Sequence, residues 1–283
     1  MSNAHLLKPS VANHLRANIA FYAVLIAGSV LMVGPFGWML STALKVTGDQ
    51  FDHRLIPARA TLENFSKAWS LMNFRALLTN SLTIATLSTI GQLVTCSMAA
   101  FGFAVVKFRG REALFLLRLA TLMVPNQMTI IPQFLIFKFL GLYGTSAPLY
   151  LPSFLGGAFG VFLLRQYFRT IPTDLLDAAR LDGASLLSIY WSVYMPLARP
   201  ALAALAIFAF RGSWNDLFTP LIYLPSDLDK TTLPVGLSQF DRLYRGQWTV
   251  MMAAVLISVA PIMLAFFFVQ KQFIQGIALT GVK

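Results

Sequence analysis

Long apolar runs recur along the chain, separated by shorter polar stretches. A helix rising 1.5 Å per residue needs about 20 apolar residues to cross a hydrocarbon layer of about 30 Å. The pattern predicts six such spans, at about 19–44, 81–106, 114–139, 148–168, 201–224 and 248–269. Residues 1–18 read as a polar leader and 45–77 as a longer external loop, partly helical, with Pro57, Glu63 and Trp69. Residues 78–270 read as a core of five spans, and 271–283 as a short tail. The expected fold class is an all-α integral membrane protein.

The spans are not uniform. The second is rich in Ser, Thr, Ala and Gly, small residues that let helices approach closely in lipid. The third carries Pro125, Asn126, Gln127, Pro132 and Gln133, which predicts a bent helix facing protein or water. Gly156 and Gly160 form a Gly-xxx-Gly pair in the fourth, a candidate contact face. Pro35 is expected to kink the first span or mark its outer portion.

One polar interval, 171–200, interrupts the oily sequence and reads as two short helices. Thr173 is the expected N-cap of the first, and Asp174 suits its positive end. Leu175, Leu176 and Ala179 share one face, and Gly183 permits the left-handed turn that stops the helix. Ser185 is the expected cap of the second helix. Leu186, Tyr190, Val193 and Tyr194 form its apolar stripe, and Pro196 disrupts it.

Composition agrees with the pattern. Of 283 residues, 57% are hydrophobic and 12% charged, which excludes an ordinary soluble domain. The net charge of +11 could point to nucleic acid. The basic residues lie between spans, however, so they read as cationic loops beside anionic lipid, with no nucleic-acid partner. With the N-terminus inside, twelve basic residues fall on the cytosolic side and nine outside, and Arg211 lies within the fifth span. Lys107, Arg109, Arg111 and Arg118 are the clearest cytosolic marker, so the positive-inside rule places the 171–200 elbow and both termini in the cytosol. The apolar run 19–40 is too long for a signal-peptide core, and the first span is read as retained.

No catalytic chemistry is expected. Cys96, the sole cysteine, lies in an apolar run and has no intrachain disulfide partner. His5, His14 and His53 are scattered, so no metal site is expected. Neither a nucleophile elbow nor a phosphate loop is present. Asp216 is the single acid inside a predicted span, far short of the carboxylate string of a proton-driven pump. If the chain moves a solute uphill, the energy comes from a separate subunit, and the polar elbow is where such a subunit would grip.

Here a resemblance becomes specific. Asp177-Ala178-Ala179, then Gly183, then Met195-Pro196, resembles the EAA loop of bacterial ABC-importer permeases, with Asp for the usual Glu and Met for the usual Leu. The string through Asp182, Gly183, Ala184 and Ser185 is similar to the carbohydrate-uptake branch. So are Arg211 to Leu221, which includes Trp214, Asn215, Asp216 and Pro220, and the ending from Gln275-Gly276 to Gly281-Val282-Lys283. The chain most resembles the smaller permease of maltose-type or glycerol-phosphate-type heterodimers.

The resemblance implies a type I ABC importer fold with six spans in the bacterial cytoplasmic membrane. It implies four partners beside the bilayer: a second permease, two ATP-binding subunits and an extracytoplasmic solute-binding protein. It implies no cofactor on this chain, since ATP and magnesium belong to the partner ATPases. Asp177, Ala178, Ala179, Asp182, Gly183 and Pro196 would form the coupling elbow, docked in an ATPase groove. The bland alternative is an amphipathic hairpin on the lipid surface.

The solute path is less determined. Trp214, Asn215 and Asp216 fit a sugar site by stacking and hydrogen bonding, and equally fit a packing network in which Asp216 pairs with a base. Asn126, Gln127 and Gln133 carry the same two readings. The external loop 225–247 would touch a solute-binding protein or serve as a connector, and the tail from Gly276 would insert between ATPase subunits or fray. Rival functions are an importer for a glycerophosphodiester or peptide, an ion-coupled secondary carrier, and a membrane-embedded enzyme.

Overall fold

A computed structural model describes residues 11–225, 227, 229–244 and 246–280. Those residues hold no β-strand, only an isolated antiparallel bridge between Lys45 and Ala60. They form two compact units, Met1–Ala68 with Arg245–Leu256, and Trp69–Tyr244 with Ile257–Lys283.

The first unit is built on α1 (Val11–Ala43), with Pro35 in its interior. Helix therefore begins inside the expected leader; residues 1–10, with His5 and Lys8, lie outside the described residues. The strap after α1 is fastened by its polar groups. Lys45 is buried, its Nζ donating to the Asp52 carbonyl at 2.6 Å and lying 4.7 Å from the Trp38 ring. Asn64, at the start of α2 (Glu63–Leu71), donates to the carbonyls of Ala43 and Lys45, both at 2.7 Å. Its Oδ1 accepts from Thr249 at 3.2 Å. The buried Lys45 and Asn64 thus find protein partners instead of water.

The second unit is organised around α3 (Phe74–Ala104), which starts seven residues before the predicted span. After α3 come α4 (Arg111–Ala120), a 3₁₀ turn Thr121–Met123, and α5 (Asn126–Phe139). The chain bends by 99° between the turn and α5. The expected bent third span is thus a broken one, because the residue before Pro125 is driven to extended geometry: Val124 has ψ 114°.

The fourth segment is also interrupted. It comprises α6 (Ala147–Tyr150), a 3₁₀ stretch Leu151–Leu155, and α7 (Ala158–Phe168). Gly156 sits between them at φ 73°, so the Gly-xxx-Gly pair is not on one continuous helix. Gly160 does mark a close approach: a Cβ there would lie 2.7 Å from Cys96 Sγ and 3.0 Å from a Leu205 methyl.

The elbow follows as α8 (Thr173–Leu181), α9 (Leu186–Ile189), a π turn Tyr190–Tyr194 and α10 (Met195–Leu197). Next are α11 (Arg199–Trp214), α12 (Phe218–Tyr223), α13 (Leu233–Leu243) and α14 (Trp248–Thr280). The predicted fifth span is broken at 215–217. Pro220 lacks the N–H that would bond the Asp216 carbonyl, which favours a break before it, although Pro35, Pro132 and Pro261 are accommodated inside other helices. The expected tail is helical to Thr280, as the end of α14; Gly281, Val282 and Lys283 lie outside the described residues.

Among the described residues, four helices are long and apolar enough to cross a membrane: Phe21–Ala43, Phe74–Ala104, Ala147–Phe168 and Trp248–Phe267. The number rises to six if two bent pairs each count as a span. One pair is α4–α5. The other joins Leu186–Leu197 to Arg199–Trp214 across 79°, which differs from the predicted fifth span.

Candidate functional site

Two features of the second unit carry functional geometry. The first is the elbow. Its α8 starts at Thr173, with Pro172 as the extended flanking residue and no side-chain cap, so Thr173 is not the N-cap. The far end is closed as expected from Gly183. At φ 78°, Gly183 donates to the Arg180 carbonyl (3.0 Å) while Ala184 donates to Ala179 (2.9 Å), the two bonds of a Schellman stop. Ser185 then caps α9, its Oγ accepting from Ser188 N at 3.2 Å.

The elbow has an anchored side and an open side. Leu176, Ile189, Tyr190 and Tyr194 are buried in one cluster with Phe101, Val105, Phe115, Leu164 and Phe168. Phe101 meets the Tyr190 and Tyr194 rings edge-on at 5.4 and 5.1 Å, and Tyr190 Oη lies 2.7 Å from Ser97 Oγ. Tyr190 and Tyr194, four residues apart across the π turn, lie on the same buried side. Opposite this, Asp177, Ala178, Asp182, Gly183 and Pro196 are exposed and Ala179 is half-buried. Leu181 stands 89% exposed among them, and a Cβ on Gly183 would meet nothing within 4 Å. Asp177 has a loose ion pair with Arg180 at 3.7 Å.

Beside the elbow lies a cluster that charge counting along the sequence overlooks. Arg165 on α7 reads as one more cytosolic cation, yet it is 3% exposed. Its guanidinium grips both Glu112 oxygens (2.6 and 2.7 Å), donates through Nε to the Phe103 carbonyl (3.1 Å), and lies 3.8 Å over the Phe115 ring. The ends of α3, α4 and α7 meet on this one side chain. An acid near a cationic loop, followed three residues later by Phe, is too slight a pattern to reveal it.

The second feature is a polar cavity of about 690 Å³. Three helix breaks open onto it, through Thr121, Leu122 and Asn126, through Ser153 and Gly157, and through Asp216 and Phe218. Ser88 and Gln92 of α3 and Ala209, Gly212 and Ser213 of α11 complete much of its wall. Asn126, Gln127 and Asp216 therefore share one space. Asp216 Oδ1 accepts from Thr219 N, in the first turn of α12, at 3.1 Å; Asp216 belongs to none of the ion pairs among the described residues.

The other proposed path residues stand elsewhere. Gln133 bonds Thr129 one turn along α5 at 2.9 Å, and Asn215 is exposed; neither lines the cavity. Trp214 is buried, stacked on Phe210 at 5.5 Å, its Nε1 donating to the Ser258 carbonyl at 3.3 Å. That arrangement is helix packing. The loop 225–247 contributes Asp229, whose carboxylate accepts from Asn73 at 2.6 Å, and α13, which packs on α3.

An all-helical membrane protein with broken spans around a polar cavity and a polar elbow between spans is the class the geometry defines. The chain belongs to the family described as the binding-protein-dependent transport system inner membrane component, whose pattern matches residues 77–279. It is 35% identical over 250 residues to an osmoprotective compounds uptake permease of Synechocystis, covering 88% of this chain and 83% of that one. It is 30% identical to a lactose transport system permease of Rhizobium radiobacter, covering 92% and 94%. Its fold matches a chain of a bacterial ABC transporter that imports the acidic polysaccharide alginate. The TM-score is 0.82 at 24% identity, over 94% of this chain and 99% of that one.

Proposed function

We propose that this chain is one of two permease subunits of an ATP-driven importer that carries a carbohydrate or sugar derivative across the bacterial cytoplasmic membrane. It crosses the bilayer six times with both termini in the cytosol. Two ATPase subunits hold ATP and magnesium, and a solute-binding protein delivers the cargo from outside. The family membership and the permeases similar to this chain support that reading.

The observation that carries the mechanism is the two-sided elbow. Its buried side is tied to α3 and α7 by rings and a hydroxyl pair, so it moves with the spans as one body. Its open side presents small residues, two acids and Leu181, a surface that a cytosolic groove would cover. Closure of the ATPase pair would swing the elbow and switch the cavity from inward-facing to outward-facing. The test is uptake of labelled candidate sugars by the complete complex in proteoliposomes. ATP should drive accumulation without an ion gradient. Accumulation driven by a proton or sodium gradient, with the ATPases absent, would establish a secondary carrier instead.

A further inference from the structure

The cavity has a chemical character that its residues define more narrowly than the word carbohydrate. Its volume of about 690 Å³ falls within the ~300–1,000 Å³ of small-molecule sites. At membrane depth, polar groups and broken backbone are tolerated where they are buried in protein or line a water-filled space. Here they line a space. Gln92, Asn126, Gln127, Ser153, Ser213 and Thr219 offer amides and hydroxyls, which both donate and accept and so match vicinal hydroxyl groups. Phe159 and Phe208, edge-on at 5.6 Å and each nearly half exposed, give the apolar surface that the C–H face of a sugar ring requires.

The charge of this wall is one-sided. Asp216 is the acid, and among the described residues no Lys, Arg or His lines the cavity. The two bases that could have balanced it are directed elsewhere. Arg211, one turn back on α11, faces an apolar recess with Phe210, Ile262 and Phe266. Arg118 lines a neighbouring recess that shares Thr121, and it turns a guanidinium nitrogen toward the Leu155 carbonyl at 3.5 Å. A carboxylate in a low-dielectric cleft repels anions and concentrates cations, with effects on local concentration of about 10- to 10³-fold.

We propose that this cavity is a solute-contact site that accepts uncharged polyhydroxy compounds and rejects anionic ones, with Asp216 as the residue that sets the preference. The proposal rests on the chain being a permease, and it narrows the cargo to neutral sugars and polyols over uronates and phosphate esters. Asp216 also accepts the Thr219 N–H in the first turn of α12, a bond that the amide oxygen of Asn can accept equally. Asp216→Asn therefore removes charge and leaves the fold.

The test needs no knowledge of the cargo. In the complete transporter, Gln127→Cys places a thiol on the cavity wall, and the unsubstituted chain, with Cys96 buried, gives the background. Modification rates are measured with a cationic trimethylammonium-ethyl methanethiosulfonate and an anionic sulfonatoethyl methanethiosulfonate, each divided by its rate with N-acetylcysteine. The normalised preference for the cation should be about tenfold, and should fall to within about twofold of unity in Asp216→Asn. Gln92→Lys should turn the preference toward the anion. Equal rates for both reagents with Asp216 present would overturn the charge filter, as would a preference unchanged by Asp216→Asn. No reaction with either reagent would show a dry recess and overturn the solute site. ATP-driven sugar uptake in the same vesicles, scored separately, reports whether the permease reading itself survives.

Discussion

At the scale of single residues, Gly183 and Trp214 show how differently a motif residue can act. Gly183 is required by backbone geometry, since φ 78° strains residues with a Cβ and its two neighbouring hydrogen bonds close α8. It also leaves open space outside, where a docked partner would lie. Gly183→Asn, which tolerates the left-handed region, should retain most ATP-coupled uptake, whereas Gly183→Trp should insert normally and lose at least 90% (about tenfold) of it. Solute-stimulated ATP hydrolysis in the Trp variant at the normal rate would count heavily against docking at this face. Trp214 is a packing residue: Trp214→Ala removes a buried ring and an indole hydrogen bond. The expected cost is about 3–5 kcal/mol, read as lower yield and thermal midpoint of the purified complex. A variant of unchanged stability but altered solute affinity would move Trp214 into the path. Gly160→Leu should likewise impair assembly, because even a Cβ there overlaps Cys96 and Leu205.

Elements explain why these residues matter together. The Arg165 grip holds the ends of α3, α4 and α7 together beside the elbow, where α3 and α7 also supply the cluster on which the elbow packs. Arg165→Met orphans the Phe103 carbonyl and breaks the pair, and should cost about 1–3 kcal/mol in the thermal unfolding of the complex. Glu112→Gln should cost less, because the Glu112 side chain is 58% exposed and water can replace part of what it loses. Equal effects of the two variants would mean that the carboxylate, and not the buried guanidinium, holds the three helices. The breaks at 124–125, 156–157 and 215–217 have local causes in Pro125, Gly156 and Pro220, each visible in the sequence. Their convergence on one cavity is not visible there, since it depends on how α3, α5, α7 and α11 pack.

For the molecule as a whole, the distribution of charge along the chain bears on which side of the membrane the elbow faces. The basic run 107–111 and the elbow are assigned to the cytosol by the same asymmetry of Lys and Arg. A thiol introduced by Arg109→Cys should therefore react with membrane-impermeant reagents in inside-out vesicles and not in intact spheroplasts. Labelling from the outside would invert the topology and remove the elbow from reach of ATP. The acidic cavity wall, if it meets solute as proposed, would constrain cargo in a way that fold alone does not: a chain of closely similar fold serves an acidic polysaccharide importer. Identity at 24% leaves room for the two walls to carry different charge.

The apolar runs and the Asp177–Gly183 spacing by themselves determined a helical membrane protein and its family, while the basic loop gave only an expected orientation. They did so because span length, charge beside lipid and a glycine at a helix stop act locally, within a turn or two of chain. Ser185 as a cap was legible for the same reason. Thr173 is instead the first residue of α8, and the flanking Pro172 makes no side-chain cap. Only the tertiary structure separated Asp216, which lines a cavity, from Trp214, which packs on α14 two residues earlier. The same folding turned Arg165 from one of the cytosolic cations into a buried clamp. Which side of a helix meets protein, water or lipid depends on neighbours that lie tens of residues away, and packing alone brings them together.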